Sequence, residues 1–285
     1  MTVPVIFISL GVFLLSWNIG RAILPIGVMF LRRHHIVRQN YAGQSIPTGY
    51  GTVLLFAFVV IYALLAPFYV INALTIGDEA LFWAIGVASL WIGFLGWLDD
   101  TLGDNRAKGF KGHVQVLKHD GVVTTGLLKA IGGGLAALIT ALVTSDSAVE
   151  WLIHATTIAL ATNWLNLLDL RPGRAAKFYL FTVVILCMLA TPQTFILLFL
   201  PVILLTAATL QADLSGQMML GDSGANLLGM QMGIFAVVTL PLYGCVLVLI
   251  LLLIGHIYAE RRSISSLIER TDWLQRLDNW GRVQP

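Results

Sequence analysis

Apolar residues run along this chain in blocks of roughly 15 to 25, with polar residues gathered between them. Nine blocks stand out, at about 3–24, 52–70, 80–98, 122–143, 149–168, 178–191, 194–210, 226–240 and 242–258. About 20 helical residues cross the hydrocarbon core of a bilayer. Backbone polar groups must be satisfied inside that core, and blocks this long and continuous suit helices rather than barrel strands. The pattern predicts an all-α polytopic integral membrane protein with about nine transmembrane helices. The bundle covers 1–258 and an amphipathic tail covers 259–285. The sixth block is short, and Pro192, Pro201 and Pro241 are expected at boundaries or kinks. The first block has no basic region before it and no small-residue cleavage signature, so it is expected to be a retained span.

Composition points the same way, with 58% hydrophobic and 11% charged residues and a mean hydropathy of +0.85, outside the range of soluble domains. The placement of the charges sharpens the picture. Counting loops alternately puts sixteen of the seventeen Lys and Arg residues on one face, leaving only Arg21 on the other. The opposite loops carry Asp78, Glu79, Asp146 and Glu150. The positive-inside rule then predicts an outside N-terminus and a cytosolic C-terminus. In the tail, Ile264, Leu267, Leu274 and Leu277 fall near helical spacing, with Trp273 and Trp280 seven apart, the pattern of a helix lying among headgroups. Cys187 and Cys245 sit in separate apolar blocks and support neither a disulfide framework nor a zinc site. No basic-aromatic groove points to nucleic acid.

Transporters place ionisable groups or broken helices near mid-membrane. Here mid-span charge is nearly absent, His154 excepted, and polar residues collect at the predicted cytosolic ends instead. The third block ends on Asp99 and Asp100. The fifth ends in "TNWLNLLDLRPGRAAK", where Asn163, Asn166 and Asp169 are three apart and share one side of a helix. Before the eighth comes "GDSG", with Asp222 in a Gly-flanked turn. Four carboxylates and two carboxamides therefore reach one depth from three segments. Hard oxygen ligands suit Mg²⁺, which takes one or two carboxylates together with substrate phosphates. Lys108, Lys111, Lys129, Arg171 and Arg174 would meet the phosphates. Metal and cations around a phosphate are the equipment of phosphoryl transfer. Each piece alone has a plainer explanation, as an interfacial charge, a helix-joining hydrogen bond, a helix cap or a snorkelling lysine. His34, His35, His113 and His119 are expected in hydrated loops, and His154 and His256 as packed polar residues.

Taken together, the motifs resemble the polyprenyl-phosphate N-acetylhexosamine-1-phosphate transferases, from about Ile46 to Gly229 and in the same order. "IPTGYG" resembles that family's Pro-Thr-x-Gly-Gly segment, and Asp99-Asp100 its Asp-Asp pair. Lys129 falls where the family has a lysine opening its fourth span. Asn163, Asn166 and Asp169 match Asn-x-x-Asn-x-x-Asp, and "GDSG" matches Gly-Asp-x-Gly. The resemblance implies that a UDP-sugar donates its sugar-1-phosphate to a polyprenyl phosphate and UMP is released. It implies Asp222 as the main Mg²⁺ ligand with Asn166 helping, and Mn²⁺ able to substitute. Asp99 or Asp100 would position or deprotonate the lipid phosphate, Lys129 would hold phosphate oxygens, and Asp169 joins the catalytic set. Asn163 is expected at the substrate. The setting implied is a bacterial plasma membrane with the site facing the cytosol, and a homodimer is compatible with it. The sequence departs from the family at "DLRPGR", which replaces a Gly-x-Asp-Gly continuation and puts Arg171 and Arg174 beside the site. The muramyl-pentapeptide enzyme's histidine-rich loop has no counterpart, which leaves the sugar open. Two other readings stay open: a transporter or scaffold on the same fold without chemistry, and a CDP-alcohol-type lipid-phosphate enzyme.

Overall fold

The structure, a computed structural model, describes residues 3–40, 43–70, 79–103, 109–190 and 196–283. Helix α1 (Val3–Arg33) leads into a small antiparallel hairpin of β1 (Val37–Gln39) and β2 (Ser45–Pro47), with Arg38 opposite Ile46. Then come α2 (Gly51–Val70), α3 (Glu79–Leu102), α4 (Gly109–Asp120), α5 (Thr125–Thr144) and α6 (Ala148–Leu168). They are followed by α7 (Arg174–Leu189), α8 (Ile196–Leu214), α9 (Gly221–Thr239) and α10 (Leu242–Arg261). Two short helices, α11 (Ile264–Arg270) and α12 (Asp272–Asn279), form the tail.

Nine of these helices coincide with the nine apolar blocks. Among the described residues six of them, α1, α2, α3, α5, α8 and α10, are long and apolar enough to cross a membrane. Their outward faces carry Phe13, Phe56, Leu135, Ile139, Leu251 and Ile254, all exposed, as a surface meant for hydrocarbon would. The other three depart for physical reasons. Helix α7 has only 16 residues. Helices α6 and α9 carry the polar side chains of the site. Helix α9 can do so because protein surrounds it: from Gly221 to Val237 every residue except Asp222 is buried. It packs against α2, α3, α6 and α7, and Gln231 there donates to Ser89 Oγ of α3 at 2.8 Å.

Boundaries differ from the expectation mainly in α1, which continues through Pro25 to Arg33 instead of stopping near residue 24. Arg32 and Arg33 then occupy its last turn, where cations meet the negative end of the helix dipole. Pro201 lies inside α8 and Pro241 caps α10, while Pro192 lies outside the described residues. Thr124 and Ser147 start α5 and α6 by accepting the N–H groups of Leu127 and Glu150.

The approach of α2 to α9 depends on Gly51. A Cβ there would lie 1.9 Å from the Gly224 nitrogen, and backbone cannot swing aside. Gly51→Ala is expected to lower stability by at least the ~1–3 kcal/mol of an overpacked core. Thermal unfolding in detergent measures this, and an unchanged midpoint would contradict the close approach.

Candidate functional site

Adjacent helical residues point about 100° apart, so two neighbouring carboxylates need not share a task. At the end of α3 they do not. Asp100 is buried and turns toward α9, where Oδ1 accepts the N–H of Asp222 and Oδ2 that of Ser223, both at 3.0 Å. The first N–H groups of a helix have no partner within it, and a carboxylate there also meets the positive end of the dipole. Arg38 Nη2 donates to the Asp100 carbonyl at 3.0 Å, tying the hairpin to the same point. Gly221 has a φ of +73°, and a Cβ on it would sit 2.8 Å from Asp100 Oδ2. The glycine before Asp222 is therefore required by backbone conformation and by space.

Asp99 turns toward α5. Thr125 Oγ1 donates to its Oδ1 at 2.5 Å, and Lys129 Nζ to its Oδ2 at 2.7 Å. Thr125 and Lys129 are four apart, hence on one face of α5. Lys129 donates to Asp222 Oδ2 as well, so one ammonium joins carboxylates from α3 and α9. Asp169 caps the C-terminal end of α6 and accepts the Gly221 N–H through Oδ2 at 3.0 Å. Three successive N–H groups of the GDSG turn are thus held by Asp169 and Asp100, leaving the Asp222 side chain for Lys129, which lines a cavity.

That cavity, about 570 Å³, is lined by Asp99, Lys129, Asn163, Asn166, His113 and Glu260, among others. One turn away from Lys129 along α5 its wall becomes Gly133 and Gly134, and one turn away from Asn163 along α6 it becomes Ala159 and Leu160. The lining changes from polar to apolar over a single turn.

Asn226, His113, His256 and Glu260 line the cavity outside the sequence-predicted set. Asn226 lines the same cavity, is 2% exposed, and its Nδ2 has no hydrogen-bond partner. It follows Asp222 by four residues on a helix, a spacing that could have marked it. His113, expected in a hydrated loop, lies instead on α4 and shares a 2.7 Å hydrogen bond with Thr124, the cap of α5. His256 also lines the cavity. Its Nδ1 faces the Leu252 carbonyl at 2.8 Å, and Nε2 is buried without a partner. His154 is a packed residue, between Thr144 and Ser145.

Of the remaining predicted residues, Arg171 and Arg174 are placed elsewhere. Lys108 and the side chain of Lys111 lie outside the described residues. Arg171 pairs with Glu269 at 3.2 Å and lines a separate, small recess of about 40 Å³ beside Asp169. Arg174 is buried against the tail, bonded to Asp278, and the structure does not bring it to the large cavity. Burial alone would raise the Asp278 carboxyl, but the hydrogen bond from Arg174 and the adjacent Arg282 hold it below its ordinary value.

The donor set bears on the expected magnesium. Among the described residues no three His, Cys, Asp or Glu side chains form a ready cage. Mg²⁺ does not require one, since it binds through one or two carboxylates and keeps positions for water and phosphate. Asp99 and Asp222 already share one cation, with carboxamides on the adjacent wall. Hard oxygens so arranged fit the ion. No family model matches the chain, and no curated protein matches its sequence.

Proposed function

We propose that this protein is a phosphoglycosyl transferase, a multi-pass enzyme of the bacterial plasma membrane. In this reading all nine long helices cross the bilayer, with the N-terminus outside and both tail and site on the cytosolic side. The reaction moves a sugar-1-phosphate, of an N-acetylhexosamine as the resemblance implies, from a UDP-sugar to a polyprenyl phosphate. The supporting observation is the meeting of Asp99, Lys129 and Asp222, from three helices, beside a cavity that Asp99 and Lys129 line and whose wall passes from polar to apolar. Such a cavity suits a diphosphate at one end and hydrocarbon at the other.

In the transfer, a phosphate oxygen of the lipid attacks the donor's β-phosphorus. The bond from that phosphorus to the bridging oxygen breaks, and UMP leaves with the electron pair. Asp99, held by Thr125, orients the attacking phosphate or takes its proton. Lys129 gives its N–H donors to phosphate oxygens as charge builds on them. Asp222, with Asn166 helping, would hold Mg²⁺, which supplies neutralisation of the diphosphate charge when bound. Asn163 and Asn226 offer neutral hydrogen bonds to the donor.

Purified protein in detergent, given Mg²⁺, undecaprenyl phosphate and a panel of UDP-sugars, is expected to release UMP. EDTA is expected to bring release to background and Mg²⁺ or Mn²⁺ to restore it. Full turnover in metal-free buffer would exclude the metal's role, and CDP-alcohols outcompeting every UDP-sugar would point to a different lipid-phosphate enzyme.

A further inference from the structure

The contact between the tail and the bundle is built around buried, doubly bonded charges. Arg174, at the start of α7, is 6% exposed and meets Asp278 of α12 as a fork, Nε to Oδ1 at 2.8 Å and Nη2 to Oδ2 at 2.9 Å. Its Nη1 donates to Ser265 Oγ of α11 at 2.9 Å. Arg282 reaches the same carboxylate at 3.2 Å and donates through Nε and Nη2 to the Pro172 carbonyl, at 3.2 and 3.1 Å. Lys177 donates to the carbonyls of Leu277, Asp278 and Trp280, where a cation meets the open C-terminal end of α12. The Val283 N–H donates to the Leu214 carbonyl at 3.3 Å. Ile264 and Ile268 are buried beneath, while Trp273 and Trp280 stay exposed.

These bonds hold the first turn of α7 and, through Pro172, the five residues between α6 and α7. That connection starts at Asp169, whose carboxylate holds the Gly221 N–H, one residue before Asp222. Hydrogen bonds and short backbone steps therefore run from the tail through Pro172 and Arg174 to Asp169, then to Gly221. A five-residue connection with no ladder of its own takes its position from what grips it. Forked Arg–carboxylate pairs fix orientation as well as distance.

We propose that the tail is part of the site: the Arg174–Asp278 pair, with Arg282, positions the 169–173 connection so that Asp169 holds the turn carrying Asp222. Arg174, Asp278 and Arg282 are positioning residues, and none touches the substrate. The proposal rests on the transferase reading and deepens it.

The test uses the full chain in detergent and compares wild type, Asp278→Ala and Asp278→Glu. Backbone amide exchange and UMP release are both measured. In Asp278→Ala, exchange in peptides covering 169–173 and 219–223 is expected to rise about tenfold, as expected for a locally loosened segment. Turnover falls in kcat while the donor KM stays near its wild-type value, because binding groups remain in place. Asp278→Glu restores both in part. If Asp278→Ala does not fold, Arg282→Gln keeps the Arg174–Asp278 pair and removes the Arg282 contacts to Pro172, Asp278 and Asn279, with the same expected signs. Faster exchange confined to 264–283, or an unchanged kcat despite faster exchange at 169–173, would overturn the proposal. Should wild type release no UMP from any donor, the transferase reading falls, and the exchange at 219–223 then upholds or overturns the bracing by itself.

Discussion

Asp222→Asn is expected to reduce UMP release by about 10²–10³-fold or more, the range for losing one preorganised charge-stabilising group. Asp222 sits where two requirements meet. Its backbone is fixed by the Asp100 and Asp169 carboxylates on either side of it, so the side chain is delivered with little freedom. Its Oδ2 shares Lys129 with Asp99, so it carries half of the bridge that this ammonium makes between α3 and α9. Asparagine keeps the size and one acceptor oxygen but loses the charge that balances Lys129 and would bind Mg²⁺. The loss is therefore expected in kcat, with protein yield and unfolding temperature close to wild type. A variant that folds normally and turns over at more than a tenth of the wild-type rate, an order-of-magnitude threshold, would remove Asp222 from the metal role.

How much of this was legible in the sequence depends on the kind of signal. Apolar block length is a property of each segment alone, and each of the nine blocks reappears as a helix, six of them long and apolar enough to cross a membrane among the described residues. The meeting of residues 99 and 222 is legible as a shared depth, because each borders an apolar block, and Lys129 lies in the first turns of its own. Depth does not give direction, however. That Asp99 and Asp100 face different helices is set by the rotation of α3 about its axis, which the central packing of α9 fixes. Asn226 was overlooked because, inside an apolar block, one amide reads as a helix-packing group until a cavity is seen beside it. Arg174 was expected at the diphosphate because it follows Asp169 closely. The tail's Asp278, more than a hundred residues later, could not be matched to it by any local pattern. The tail forms two short helices where its spacing predicts helix, yet its two faces are divided differently. Ile264 and Ile268 face the bundle, and Trp273, Leu277 and Trp280 remain exposed.

The adjacent aspartates give the second large effect, and it separates chemistry from architecture within one dipeptide. Asp100→Ala removes the acceptor of two N–H groups at the head of the central helix, that of Ser223 buried and that of Asp222 part-buried. Losing a cap costs about 1–2 kcal/mol, and the buried Ser223 donor left unsatisfied about 1–3 more. A total of about 2–5 kcal/mol is expected, enough to lower the unfolding temperature markedly and to reduce yield. Asp100→Asn keeps one oxygen for one of the two N–H groups but turns an amide NH₂ toward the other, so it recovers only part of the loss. Asp99→Asn behaves in the opposite way. Its partners are side chains, Thr125 and Lys129, and no helix terminus depends on it. Unfolding temperature should stay near wild type while UMP release falls by about 10²-fold, as for loss of a positioned acid–base group. Measuring both quantities in both variants decides the division: matched stability losses at 99 and 100, or turnover surviving Asp99→Asn, would mean that the structural difference between the two carboxylates has no functional counterpart.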